Sequence, residues 1–110
     1  MVVYHIVLLQ VKSGASPENV KNAISNIETL KDTCLHRDTG APYMLSSVGG
    51  RDNSLEGLQN GITHVIVEQF HSEEDRQYYL KHEEGHKNFV KGLAGLVDKV
   101  QIVGFTPGVF

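Results

Sequence analysis

A single cysteine, Cys34, is the whole thiol complement of this chain. No disulfide can form within it, and a reducing compartment is predicted. Positive charge is not concentrated either. Ten Lys and Arg are scattered among thirteen Asp and Glu, for a formal charge of −3 and a sequence pI of about 6.0. A surface that tracks nucleic-acid phosphates needs a basic stripe, and none is visible. The apolar runs are far too short to span a bilayer. The start, Met1-Val2-Val3-Tyr4-His5, lacks the charged beginning and apolar run of a signal peptide. These absences predict a cytoplasmic protein with neither nucleic acid nor membrane as a partner. Repeats, linkers and low-complexity segments are missing too, so one domain over residues 1–110 is expected. Gly49-Gly50-Arg51 lacks the Lys-Ser/Thr of a phosphate loop and reads as a turn.

What is present is an ordinary soluble balance, 40% apolar and 21% charged residues, enough for a modest core. Tyr4 to Lys12 has strand character, with His5, Val7, Leu9 and Val11 on one face and Tyr4, Ile6, Leu8 and Gln10 on the other. Ser16-Pro17-Glu18 is a helix start. Val20, Ala23, Ile24, Ile27 and Leu30 then recur at helical spacing, with an end predicted between Lys31 and Cys34. A weaker strand covers Tyr43 to Val48, and a loop from Gly49 reaches Gly61. Ile62 to Phe70 is the strongest strand. Ser72-Glu73-Glu74-Asp75 resembles a capping box. The helix it opens runs through Tyr79 and Leu80, loosens near Gly85, and resumes with Phe89, Val90 and Leu93. Lys99 to Phe105 reads as a last strand, ended by Pro107.

The order βαββαβ gives an α+β class on the ferredoxin-like plan. Two helical layers cover one face of a four-stranded antiparallel sheet. Ile6, Leu8, Val65 and Val67 on the other face need cover, and a second copy packed sheet to sheet would supply it. A homodimer is therefore expected.

The opening His5-Ile6-Val7-Leu8, the loop end Gly61-Ile62-Thr63-His64, and Tyr79 followed by His86-Lys87-Asn88-Phe89 together resemble the stress-responsive A/B barrel family. That family is a branch of the dimeric α+β barrel superfamily, and the resemblance covers essentially the whole chain. It implies a barrel built from two four-stranded sheets. Plant polyketide cyclases, a plant hydroxynitrile lyase and heat-stable proteins share the pattern. By matching position, the resemblance makes His86 the base and Tyr79 its partner, with His64 and His5 lining the same cavity. The segment His82-Glu83-Glu84-Gly85-His86 is one residue longer than the family's usual His-Pro-x-His form and has no proline.

The implied chemistry needs no cofactor. A neutral His86 would remove a proton alpha to a carbonyl, and the Tyr79 hydroxyl would hydrogen-bond the developing oxyanion. The substrate would be a small carbonyl-bearing or phenolic molecule, undergoing aldol-type cyclisation or lyase cleavage. Glu68, on the strand face of His64, is placed to hold an imidazole tautomer. The alternative is a non-catalytic stress-response homodimer that binds a small apolar ligand. In that case His5 and His64 are core histidines and Tyr79 is a packing residue. His82-Glu83-Glu84-Gly85-His86 also spells His-Glu-x-x-His, a zinc signature that requires an unbroken helix and a third ligand. Coincidence accounts for it, and no metal is expected. Cys34 follows an apolar helix face and reads as an inert buried thiol. Gel filtration is expected to give a dimer, and a monomeric elution would rule out the two-sheet architecture.

Overall fold

The computed structural model describes all residues, 1–110. Ser16 caps α1 (Pro17–Ile24), its hydroxyl accepting from the Asn19 amide at 3.1 Å, with Pro17 in the first turn. The predicted single helix is bent. After α1 the chain tightens into a 3-10 segment, Ser25–Thr29, before one α turn, α2 (Leu30–Thr33). The 3-10 segment buries Ile27 and α2 buries Leu30, both in the core. Its end at Thr33 falls where the sequence placed it.

The strands are β1 (Val3–Val11), β2 (Met44–Arg51), β3 (His64–Phe70) and β4 (Val97–Phe105). They form one antiparallel sheet in the order β2-β3-β1-β4, as the ferredoxin-like plan requires. The expected turn at Gly49-Gly50-Arg51 is instead the last part of β2, pairing with Ile66, Val65 and His64. A Cβ on Gly49 would lie 3.1 Å from the Val65 carbonyl oxygen, so glycine here serves close strand contact, not a turn.

Val3, His5, Val7 and Leu9 point toward the helices and are buried. Val7 and Leu9, with Ile66 and Phe70 from β3, Met44 and Tyr43, Ile27, Leu30 and Cys34, build the core that Tyr79 and Leu93 close from above. The opposite face carries Tyr4, Ile6 and Leu8 beside Val65, Val67, Val103 and Phe105 by register. No helix packs on it. Tyr4 and Phe105 stack there across strands, with ring centroids 4.6 Å apart. No helix is long and apolar enough to cross a membrane.

Leu9 has no exposed surface, whereas Leu55 is 97% exposed. Leu9→Ala is expected to cost about 2–5 kcal/mol by urea denaturation, against about 0.5 kcal/mol or less for Leu55→Ala. Equal losses would mean that the helix side of β1 is not the core.

Candidate active site

A row of polar residues crosses the helix side of the sheet. Strand register sets Ser47 beside Glu68, Glu68 beside His5, and His5 beside Gly104. Directly opposed residues share a face, so Ser47, Glu68 and His5 lie side by side among Val7, Ile66 and Phe70. Their exposures are only 1%, 3% and 5%. Above the row stand Tyr79, His86 and Arg76. A Cβ at Gly104 would fall 2.6 Å from Arg76 Nη1, so the absent side chain leaves room for the guanidinium, which also pairs with Glu73.

Tyr79 and His86 meet because the helix between them is broken. On a continuous helix, seven residues would separate them by about 10 Å along the axis. Their ring centroids are 4.8 Å apart. The break is at Glu83 (φ −76°, ψ 120°), which ends α3 (Glu73–His82) and begins α4 (Glu84–Leu93). Its carboxylate accepts the Tyr43 hydroxyl at 2.6 Å and the Gly85 amide at 3.5 Å, so it caps the second helix while fixing the bend. Gly85, where the sequence predicted loosening, lies inside α4. A Cβ there would sit 3.2 Å from Cys34 Sγ and 3.3 Å from Leu30 Cδ2, so glycine allows α4 to press on α2. His82 and His86 thus stand on different helices, which removes the one-turn spacing a zinc pair needs. No group of three His, Cys, Asp or Glu is poised to hold a metal ion.

Burial sets the protonation of the cluster. It pushes the Glu68 carboxyl up to about 7, and a hydrogen bond from the Tyr79 hydroxyl pulls the other way. Burial, then the Glu68 carboxylate, pushes the Tyr79 phenol far above its ordinary range. His86 is lowered by burial. His5 is lowered by burial, then by the charges of Arg76 and His86, with Glu73 opposing. The site at neutral pH therefore combines neutral imidazoles, a protonated phenol and a carboxyl near half-ionisation. His86 Nδ1, Glu68 Oε2 and Ser47 Oγ are buried without hydrogen-bond partners. Unsatisfied buried polar atoms are few in folded proteins, and these three gather around the polar row, while a fourth, Ser46 Oγ, lies next to Ser47 on β2.

Three of the four residues expected to converge do so: His5, Tyr79 and His86. His64 does not. It pairs with Leu9, four residues along β1 from His5, or about 13 Å. Glu68 flanks His5, so it is not the group that orients His64. Sequence reasoning undervalued Glu68 and missed Ser47 and Arg76. The available signal was an acid on the inward parity of β3, between the buried Ile66 and Phe70. Five cavities open elsewhere on the molecule, and none of these is lined by the polar row. The bare flank is at β4, whose helix-side Val100 and Ile102 remain 48% and 55% exposed beside β1.

The family model of the stress responsive A/B barrel domain matches residues 3–107. The chain belongs to this family. It is 30% identical over 105 residues to the stress-response A/B barrel domain-containing protein HS1 of Arabidopsis thaliana, covering 96% of this chain and 89% of that protein. A crystal structure of an Arabidopsis thaliana protein superposes with a TM-score of 0.80 at 29% identity, over 98% of this chain and 97% of the other. The fold is shared with the hydroxynitrile lyase of Passiflora edulis, with a TM-score of 0.81, 22% identity, and 99% and 96% of the chains covered. A dimeric ferredoxin-like protein from Thermobifida fusca gives a TM-score of 0.74 at 19% identity, over 96% and 91% of the chains. The ferredoxin-like α+β fold of this family is thereby shown for this chain.

Folding holds the Glu68 proton more tightly than the unfolded chain does. Burying Glu68 therefore costs no ionisation energy below its ordinary value of 4.5, and that cost grows as pH rises toward about 7. The lowered His5 and His86 act oppositely, since the unfolded chain holds their protons better and acidification through 6.5 destabilises. Glu68→Gln is expected to gain on the wild type by a few kcal/mol, on the order of 3, between pH 4.5 and 7 in urea melts. A pH-independent difference would mean that Glu68 ionises freely in the fold. In Tyr79→Phe, the Glu68 carboxyl carbon should titrate higher still by NMR.

Proposed function

We propose that this stress-responsive A/B barrel protein is a cofactor-free acid–base enzyme acting on a small carbonyl-bearing molecule. The reading is carried by one observation: the contact of Tyr79 with His86 above a buried carboxyl, with His86 Nδ1 and Glu68 Oε2 both unpartnered. A neutral imidazole freed of other hydrogen bonds is a competent base for a carbon acid. The phenol stays protonated, so it can donate to an oxygen that gains charge as the proton leaves. Glu68, near half-ionisation, can return a proton within the same turnover. His5 is placed to bind the second oxygen of a dicarbonyl or phenolic substrate. The substrate enters beside β4, where the helix side of the sheet is bare.

The name of the Passiflora relative supports a lyase-type use of such a site. A cofactor-independent oxygenase on the same fold extends the range of small-molecule chemistry. The dimer belongs to this proposal as well. Tyr4, Ile6, Val67, Val103 and Phe105 form an apolar face with no intramolecular cover, and similar structures are described as dimeric.

A test that does not presuppose the full substrate is deuterium exchange at the α-carbon of 1,3-dicarbonyl compounds in D2O, followed by proton NMR. His86→Ala is expected to slow catalysed exchange at least about 100-fold, with Tyr79→Phe also impaired and the fold retained. If the wild type accelerates no exchange, and cleaves no aromatic cyanohydrin, while the variants differ only in stability, the chain is a binding protein on this fold.

A further inference from the structure

At the other end of the sheet from the polar row lies a cavity of about 430 Å³ whose wall includes Lys12, Lys21, Arg51, Thr63 and His64 among small and apolar neighbours. The chain carries a net charge of −3, yet no acidic residue lines this space. Three elements bring the cations together: Lys12 follows β1, Lys21 is on α1, and Arg51 ends β2. None of the three forms an ion pair, although five other basic residues do, His36 included. The nearest acids in sequence are otherwise placed. Asp52 Oδ1 accepts the amide and hydroxyl of Ser54 at 3.4 and 2.8 Å, and Glu18 sits exposed on the first turn of α1. Like charges gathered around a concave space repel one another, and an anion relieves that repulsion.

His64 completes the arrangement. The Thr63 hydroxyl donates to the Leu9 carbonyl at 3.2 Å and accepts the Val11 amide at 3.0 Å. Its one proton is thus committed, and the 2.9 Å contact with His64 Nδ1 requires the imidazole to donate there. Nε2 is the remaining nitrogen, and His64 lines the cavity together with Arg51, its register partner on β2. Neutral, Nε2 accepts; protonated, it becomes a further donor to an anion.

We propose that this cavity binds the phosphate group of a small molecule. Three fixed cations and a protonatable imidazole match a multiply charged oxyanion better than a monoanionic one. The volume exceeds what an isolated ion fills, and Val11, Ala15 and Val20 offer apolar surface to the rest of the ligand. The site is separate from the Tyr79–His86 cluster, with Val7 and Leu9 of β1 between them, and does not depend on the acid–base reading. Burial, then the Arg51 charge, lowers His64. The groups facing it are Arg51, Lys12 and Lys21, all positive, so a bound anion must raise its titration midpoint.

The test is an NMR titration of the intact protein with inorganic pyrophosphate at low ionic strength, repeated with malonate. Saturable shifts are expected at His64 and Arg51, with the His64 midpoint moving up and those of His5 and His86 unchanged. Lys21→Gln and Arg51→Gln should each weaken binding about tenfold, while Lys91→Gln on α4, away from the cavity, should not. Both cavity variants replace exposed side chains, and an unchanged amide spectrum confirms their fold. Absence of saturable shifts would overturn the site. So would equal weakening by Lys91→Gln, which indicates diffuse charge attraction only. Malonate binding as tightly as pyrophosphate would overturn the assignment to phosphate.

Discussion

The bend at Glu83 is the constraint on which the site depends. One residue in extended conformation separates α3 from α4, and its carboxylate is tied to Tyr43 and to the Gly85 amide. Straightened, the same sequence would place His82 and His86 one turn apart and carry His86 away from Tyr79. Bent, it brings a phenol and an imidazole into ring contact over the sheet. Cys34 shares this corner. Burial, reinforced by Glu83, pushes its thiol up to about 12, so it packs against Gly85 as an inert group rather than a nucleophile.

Beneath that contact, the fold accepts polar atoms where apolar ones would be more stable. Ser47, Glu68 and His5 occupy inward positions on three adjacent strands, each surrounded by aliphatic and aromatic neighbours. A fully ionised Glu68 at this depth would be costly without a cation, and no ion pair reaches it. The fold meets this by retaining a proton on the carboxyl to unusually high pH and by giving it the Tyr79 hydroxyl. Such a balance is sensitive to any added charge nearby, as acid–base chemistry requires.

Much of the fold was legible in the sequence, because alternation along β1 and β3 and the caps at Ser16 and Ser72 are local signals. The bend within the first helix and the extension of β2 through Gly49–Arg51 were not. Both are set by contacts with distant residues, the core around Ile27 in one case and the Val65–Ile66 backbone in the other. The site divides in the same way. Matching position brought out His5, Tyr79 and His86, whereas separating His64 from them required the register of β1 against β3. The scattered basic residues looked unremarkable in one dimension, since Lys12, Lys21 and Arg51 line one cavity only when the end of β1, the body of α1 and the end of β2 come together.

The sheet order has a consequence for how the chain is made. β1 is an inner strand whose two neighbours are β3 and β4, so the first strand of this sheet to be synthesised is hydrogen-bonded along one edge by the last. Until Val97–Phe105 has emerged, that edge of β1 stays open, and with it the flank of His5. Pairings of such long sequence separation form slowly, and an open apolar edge invites foreign strands. Co-translational folding can therefore assemble β1, β2 and β3 beneath the helices, but completion of the sheet must wait until β4 has been synthesised.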